Sequence, residues 1–178
     1  MGLRYTSPAG ASEAGYRKYI QQIFPEIQPK STDYILHDLY PSVYNGRYGY
    51  TDPIGRAALA TSDVAFQCNT DYLNRAFDNQ TYAYLFSVPP ALHGQDVRYT
   101  FYNGDASKDV NATVALKLQD YITSFARTGV PESKGGPVFR MHGHEARILN
   151  LGNKGFREMR DPTANPRCTW WQKGLYYQ

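Results

Sequence analysis

Apolar residues recur at helical spacing at Tyr16, Tyr19, Ile20, Ile23 and Phe24, and Pro25 closes the run. The pattern predicts a second short helix on Ile35, Leu36, Leu39 and Tyr40, opened by Ser31 or Thr32 as cap and closed by Pro41. Asn45, Gly46, Gly49 and Pro53 mark residues 42–53 as a loop, after which helical patterning resumes from Ile54 to Phe77 with a break near Ser62. Thr81–Val88 reads differently: a nearly continuous aromatic and β-branched run, bounded by Asn79 before it and Pro89-Pro90 after it. That is the signature of a strand covered on both faces, as in parallel sheets under helices. The two prolines lack N–H groups and force the chain out of the ladder into a loop at the strand's end.

A long amphipathic helix follows, with Val114, Leu118, Tyr121, Ile122 and Phe125 on one face and Gly129-Val130-Pro131 as its terminator. Ala146–Leu151 and Gly155–Met159 are strand candidates separated by Gly152-Asn153. A final helix runs from cap Asn165 and Pro166 through Trp170 and Trp171. One strong strand among so many helices predicts part of an α/β sheet whose other strands lie elsewhere.

The chain's 178 residues have room for one domain, and with 42% hydrophobic and 20% charged residues they can build a packed core. Wholly disordered, collagen-like and mucin-like classes are excluded. No apolar run approaches the roughly 20 residues a membrane helix needs. The net charge of +3 comes from interspersed single charges and short pairs such as Arg17-Lys18, which argues against a nucleic-acid partner.

Cys68 and Cys168 stand far apart with no CxxC pair and no ligand cluster beside either, so zinc and dithiol redox chemistry fit poorly. Two separate buried thiols and one long-range disulfide both remain open on spacing alone. The sequons Asn79-Gln80-Thr81 and Asn111-Ala112-Thr113 lean towards a secreted, glycosylated context. The opening residues, Met1 to Pro8, have neither a charged leader nor an apolar stretch and are not expected to be a signal peptide. Secreted chemistry without such a signal gives the expectation that the beginning of the protein is missing.

His93 is the leading chemical candidate. It lies three residues beyond Pro90, in a loop at the carboxyl end of the predicted strand, where open α/β sheets place ligand and catalytic groups. A neutral imidazole can take a proton from a nucleophile and return it to a leaving group near physiological pH. Gly94 leaves room for close approach, and Asp96 falls in the first turn of a following helix, where the helix dipole favours a carboxylate. On position alone, an ordinary loop histidine is the competing reading.

The segment Ser87-Val88-Pro89-Pro90-Ala91-Leu92-His93-Gly94-Gln95-Asp96-Val97-Arg98-Tyr99-Thr100-Phe101 resembles the histidine segment of type-B carboxylesterases and lipases, the α/β-hydrolase group that includes the cholinesterases. The wording is most similar to fungal members. Asp161-Pro162-Thr163-Ala164-Asn165-Pro166-Arg167-Cys168-Thr169-Trp170-Trp171 resembles the family's closing segment, and Asp63-Val64-Ala65-Phe66-Gln67-Cys68 the region holding the other cysteine of a C-terminal disulfide. With Phe125-Ala126-Arg127-Thr128-Gly129-Val130-Pro131 between them, the likeness covers nearly the whole chain.

What the resemblance implies is the C-terminal part of an α/β-hydrolase fold with an incomplete sheet, residues 1–178 forming a segment of a single domain. It implies a carboxylic ester hydrolase in which a serine attacks the ester, histidine shuttles the proton and an acid orients the histidine. His93 matches the general base, a Cys68–Cys168 disulfide is implied, and no cofactor or metal is. The substrate would be a small-molecule or lipid ester, and the full-length parent would be extracellular.

Two triad members find no match. No G-x-S-x-G pentapeptide occurs, and the nearest stretch, Gly10-Ala11-Ser12-Glu13-Ala14-Gly15, has its second glycine one residue late and no strand before it, so Ser12 reads as a cap or loop serine. The glycine-rich oxyanion loop is missing too. Gly2-Leu3-Arg4-Tyr5-Thr6-Ser7-Pro8 fits the stretch after the family's acid, and Met1 occupies the acid's place. The chain alone is therefore expected to be inactive, and its uncovered sheet to favour self-association.

His142-Gly143-His144-Glu145 offers formal metal ligands, but its turn residues favour a surface loop and no third ligand is identifiable. His37 reads as a surface or packing residue, Trp170 and Trp171 as anchors of the last helix, and the tyrosines between Tyr40 and Tyr50 as packing rather than a substrate passage. The alternative from another class is a non-catalytic, cholinesterase-like binding or adhesion module.

Overall fold

Ser12 opens the first described helix: its hydroxyl accepts the Gly15 N–H at 3.0 Å, so of the two readings, cap or loop serine, it is the cap. The computed structural model describes residues 12–105 and 109–177, which divide into two units. One comprises the residues up to Leu73 together with those from Pro162; the other runs from Asn74 to Asp161.

In the first unit α1 (Glu13–Ile23) buries Tyr16, Tyr19 and Ile20. The second helix begins earlier than its serine and threonine predict. α2 (Pro29–Tyr34) has Pro29 in its first turn, where a missing N–H costs nothing, and the Ser31 hydroxyl instead donates to the Leu175 carbonyl. It continues into a π-helical turn, Ile35–Leu39, closed by the Tyr40 N–H on the Ile35 carbonyl. Asp52 caps α3 (Pro53–Ser62) by accepting the Gly55 N–H at 2.8 Å. The predicted break near Ser62 is a second π-helical turn, Asp63–Gln67, and α4 (Cys68–Ala76) follows without interruption. The extra residue in that turn keeps the chain helical while resetting which side chains face inward.

α7 (Pro166–Trp171) starts as predicted, with the Asn165 side chain accepting the N–H groups of Arg167 and Cys168. Cys68 and Cys168, both fully buried, form a disulfide. A buried polar chain runs beside it. The Trp171 indole N–H donates to the Tyr40 hydroxyl at 2.9 Å, that hydroxyl donates to Asp63 at 2.8 Å, and the same carboxylate oxygen accepts Arg167 Nε at 2.7 Å. Burial and the neighbouring Asp63 carboxylate push the Tyr40 hydroxyl well above its usual range, so it stays a donor. The two tryptophans do anchor the last helix, and Tyr34 stacks on Trp170 with centroids 5.6 Å apart.

Arg56 is only 2% exposed, although it sits mid-helix. Its guanidinium closes the preceding π-helical turn by donating to the Leu36 and Tyr40 carbonyls at 2.7 and 2.6 Å, and meets Glu13 at 2.5 Å. The hydrogen bond from Arg56 holds the Glu13 carboxyl below its ordinary value of 4.5, with burial opposing. A depressed carboxylate contributes stability that is present above its unfolded pKa and lost as the pH falls through its folded one. Urea unfolding followed by the fluorescence of Trp170 and Trp171 is expected to shift to lower midpoints between about pH 5 and pH 3, and Glu13→Gln to flatten that shift. An unchanged slope in Glu13→Gln would contradict the pairing.

The second unit is built on a three-stranded sheet in the order β1 (Tyr84–Phe86), β2 (Arg147–Gly152), β3 (Gly155–Arg160). β1 is parallel to β2, with Tyr84 opposite Leu149 and Phe86 opposite Leu151. β2 and β3 form an antiparallel hairpin turning at Asn153-Lys154, one residue beyond the predicted Gly152-Asn153 break, because Gly152 still pairs with Gly155. Two features of β1 differ from expectation. Regular strand spans three residues, although pairing extends from the Ala83 carbonyl to the Ser87 N–H. Nor is it fully covered: Tyr84, on the same face as Phe86, is 38% exposed, and among the described residues only β2 flanks β1. Pro89 and Pro90 carry no N–H, and the Val88 carbonyl already accepts from Ala91, so the ladder ends there.

One sheet face, carrying Phe86, Leu149 and Leu151, packs with Val114, Ala115, Leu118 and Tyr121 of α6 (Ala112–Thr128). Each fully buried aliphatic side chain in such a cluster contributes about 1.5–3 kcal/mol. Asn111 caps α6 at its start, and Gly129, at φ 76°, ends it in the left-handed conformation that favours glycine. The predicted apolar face is rotated at its far end: Ile122 and Phe125 are 38% and 49% exposed. Ser124 takes the inner place because its hydroxyl caps the Val130 carbonyl at 2.7 Å as the chain reverses. No helix among the described residues is long and apolar enough to cross a membrane.

Candidate active site

The loop that leaves β1 carries His93. After Val88 the backbone has two prolines that cannot donate, then a turn over residues 93–96 leading into α5 (Val97–Thr100). Within it a single side chain supplies the missing bonds. The Gln95 carbonyl oxygen accepts the Leu92 N–H at 3.0 Å, its amide nitrogen donates to the Pro89 carbonyl at 3.1 Å, and its own N–H donates to the Leu92 carbonyl at 3.1 Å. Gln95 is 9% exposed, whereas the flanking His93 and Gly94 are exposed. Gly94 has φ 74°, and a Cβ there would meet nothing within 4 Å. The glycine is needed for its backbone angle.

Asp96 stands at the cap position of α5 but makes no capping bond. Its carboxylate instead accepts the Tyr84 hydroxyl of β1 at 2.8 Å, which ties the far end of the loop to the strand that starts it. Burial, then this hydrogen bond, pushes the Tyr84 hydroxyl above its usual range. The expected helix-dipole role for Asp96 is thus replaced by a strand contact, since α5 has barely one turn.

The other sequence candidates separate. Met1 and the stretch to Pro8 lie outside the described residues. His142 is not a surface residue: it is 2% exposed, and its Nε2 lies 3.3 Å from an Asp161 oxygen. Backbone bonds from Arg147 to the His142 carbonyl and from Asp161 to the Ala146 carbonyl bring the two together at the mouth of the β2–β3 hairpin. His144 and His37 are exposed. Among the described residues no three His, Cys, Asp or Glu side chains are grouped to hold a metal. Asn111 is exposed, with its amide donating to Asn153 at 3.4 Å, and Asn79 is half-buried in the turn after α4 at φ 58°. Tyr44, Tyr48 and Tyr50 pack on one another, with centroids 6.1 Å (Tyr44–Tyr50) and 6.3 Å (Tyr48–Tyr50) apart.

Sequence reasoning missed Gln95, Tyr84 and Arg56 as organisers. Gln95 and Arg56 bond mainly to backbone carbonyls and N–H groups and Tyr84 to the Asp96 carboxylate, partners that only the fold brings within reach. The one available signal was the pair of prolines, which leaves a loop short of donors and in want of a side-chain substitute.

No protein-family model matches the chain. It is similar to carboxylesterase patB of Penicillium expansum, 34% identical over 169 residues, covering 94% of this chain and 30% of the relative. It is also similar to carboxylesterase patB of Aspergillus clavatus, 36% identical over 162 residues, 90% of this chain and 29% of the relative. The chain therefore spans less than a third of the length of these relatives. Among solved structures, the crystal structure of Aspergillus niger EstA superposes with a TM-score of 0.76, covering 99% of this chain and 39% of that one. At 16% identity that likeness speaks for the fold alone. The helices and small mixed sheet are accordingly part of an α/β-hydrolase fold, and over nearly its whole length the chain is similar to the C-terminal portion of fungal carboxylesterases.

Proposed function

We propose that the chain supplies the general base, His93, to the Ser–acid–His triad of a carboxylic ester hydrolase, both units belonging to one α/β-hydrolase domain. The observation that carries this reading is the placement of His93: exposed, next to a glycine, in a tethered loop directly after a strand of the parallel pair. In the mechanism, a serine hydroxyl supplied from outside these residues loses its proton to the His93 imidazole as it attacks the ester carbonyl. The imidazolium then protonates the departing alcohol, and a water repeats both steps to release the acid. Small-molecule or lipid esters are the substrate class. The buried Cys68–Cys168 bond and the sequons at Asn79 and Asn111 support an oxidising, extracellular setting with glycosylation. The edge of β1 that no described strand pairs supports association with further strands, or with a second copy.

The sequence contains no G-x-S-x-G elbow, so the chain by itself has no nucleophile for His93 to activate. Purified alone, it is expected to give no hydrolysis of p-nitrophenyl butyrate above what His93→Ala gives. Turnover at the level of an intact esterase, lost in His93→Ala, would overturn the inactivity of the isolated chain. A product that binds a partner but never hydrolyses ester in its native form would favour the adhesion-module alternative.

A further inference from the structure

We propose that Gln95 is the positioning residue of the histidine loop, its buried amide fixing the backbone on both sides of His93. The inference rests on the reading of His93 as general base. The orientation of the amide is dictated by its partners: the Leu92 N–H can only donate and so must meet the side-chain oxygen, and the Pro89 carbonyl can only accept and so must meet the nitrogen. Leu92 directly precedes His93, and with the bond from the Gln95 N–H to the Leu92 carbonyl the ring closes around it. Of residues 89–92 the two prolines have no N–H and the Ala91 N–H is taken by the Val88 carbonyl, so the Leu92 N–H depends on the Gln95 side chain. The Tyr84–Asp96 bond then fixes the loop's exit, so the imidazole is presented from a frame held at three points. A base displaced by about 1 Å from its nucleophile loses on the order of 10²-fold in rate, which sets the scale of the effect.

Two substitutions of similar size separate positioning from packing. Gln95→Met keeps the volume and loses both bonds. Gln95→Glu keeps the acceptor for Leu92 but, when ionised, sets a carboxylate against the Pro89 carbonyl; protonated, its O–H replaces the lost donor. Both are to be introduced into the protein as its native host makes it. Hydrogen exchange and ester hydrolysis are then followed across pH. Gln95→Met is expected to speed exchange at Leu92 at least about tenfold while β2 and β3 stay protected, and to lower kcat about tenfold or more with KM within about twofold. Gln95→Glu should behave likewise at neutral pH and recover Leu92 protection, relative to intrinsic exchange, as the pH falls. Unchanged Leu92 exchange in Gln95→Met, or equally faster exchange throughout β2 and β3 in both variants, overturns the proposal. Should the wild-type native protein hydrolyse no ester, the reading of His93 fails on its own, and the Leu92 exchange still decides whether Gln95 holds the loop.

Discussion

His93→Ala in the native protein is expected to lower ester hydrolysis by at least about 10³-fold without changing the amount, size or helical signal of the protein. The two halves of that expectation come from the same geometry. The imidazole is exposed, in a loop tied down by Gln95 and by the Tyr84–Asp96 contact, so its removal takes no side chain out of either core. Yet a serine hydroxyl is a poor nucleophile until a base takes its proton, and the same base must protonate the leaving alcohol, so the loss falls on both steps of the reaction. Added imidazole should restore part of the rate, since the missing function is a proton shuttle and not a fold. Full activity in the variant would remove His93 from the mechanism.

Breaking the Cys68–Cys168 bond is expected to have the largest effect on stability. The bond closes a loop with a sequence separation of 100, for which the chain-entropy account gives about 4–5 kcal/mol. That is a large fraction of a typical domain's net stability. Its position adds to the consequence. Neighbouring Arg167 and Trp171 hold α7 to Asp63 and Tyr40 through a part-buried and a buried hydrogen bond, and these depend on α7 staying in place. Cys168→Ala, or reduction with both thiols confirmed free, should lower the urea midpoint reported by the two tryptophans and expose Trp171 to quencher. An unchanged midpoint with the bond broken would show that the surrounding polar chain alone secures the last helix.

The parts of the fold that sequence made legible are those governed by local chemistry. Ser12, Asn165 with Pro166, and Gly129 each act through a bond or backbone angle within a few residues, and each ends or begins a helix. Where a tertiary demand competes, the reading shifts. Ser31 gives its hydroxyl to Leu175 instead of capping α2, and the expected break near Ser62 is a widened helical turn. Thr81–Val88 looks like a covered strand by composition, but burial depends on which elements lie against it, and Tyr84 is left partly exposed. His142 escaped recognition for a similar reason: its partner Asp161 is 19 residues away and meets it only through the hairpin. The place of His93 at a strand's carboxyl end was readable from the prolines and from family likeness. The Gln95 clamp was not, because an amide's partners are settled only once the loop has its path.

Recovery of the native protein decides whether this chain serves ester hydrolysis through His93. An antibody against the chain would be used to isolate the protein from its host, followed by labelling with a serine-reactive fluorophosphonate and sizing of the product. The expected product is a labelled polypeptide several times heavier than 20.2 kDa that hydrolyses p-nitrophenyl esters and loses that activity in His93→Ala. A single unlabelled band near that mass, with no ester turnover from the recovered material, would contradict it.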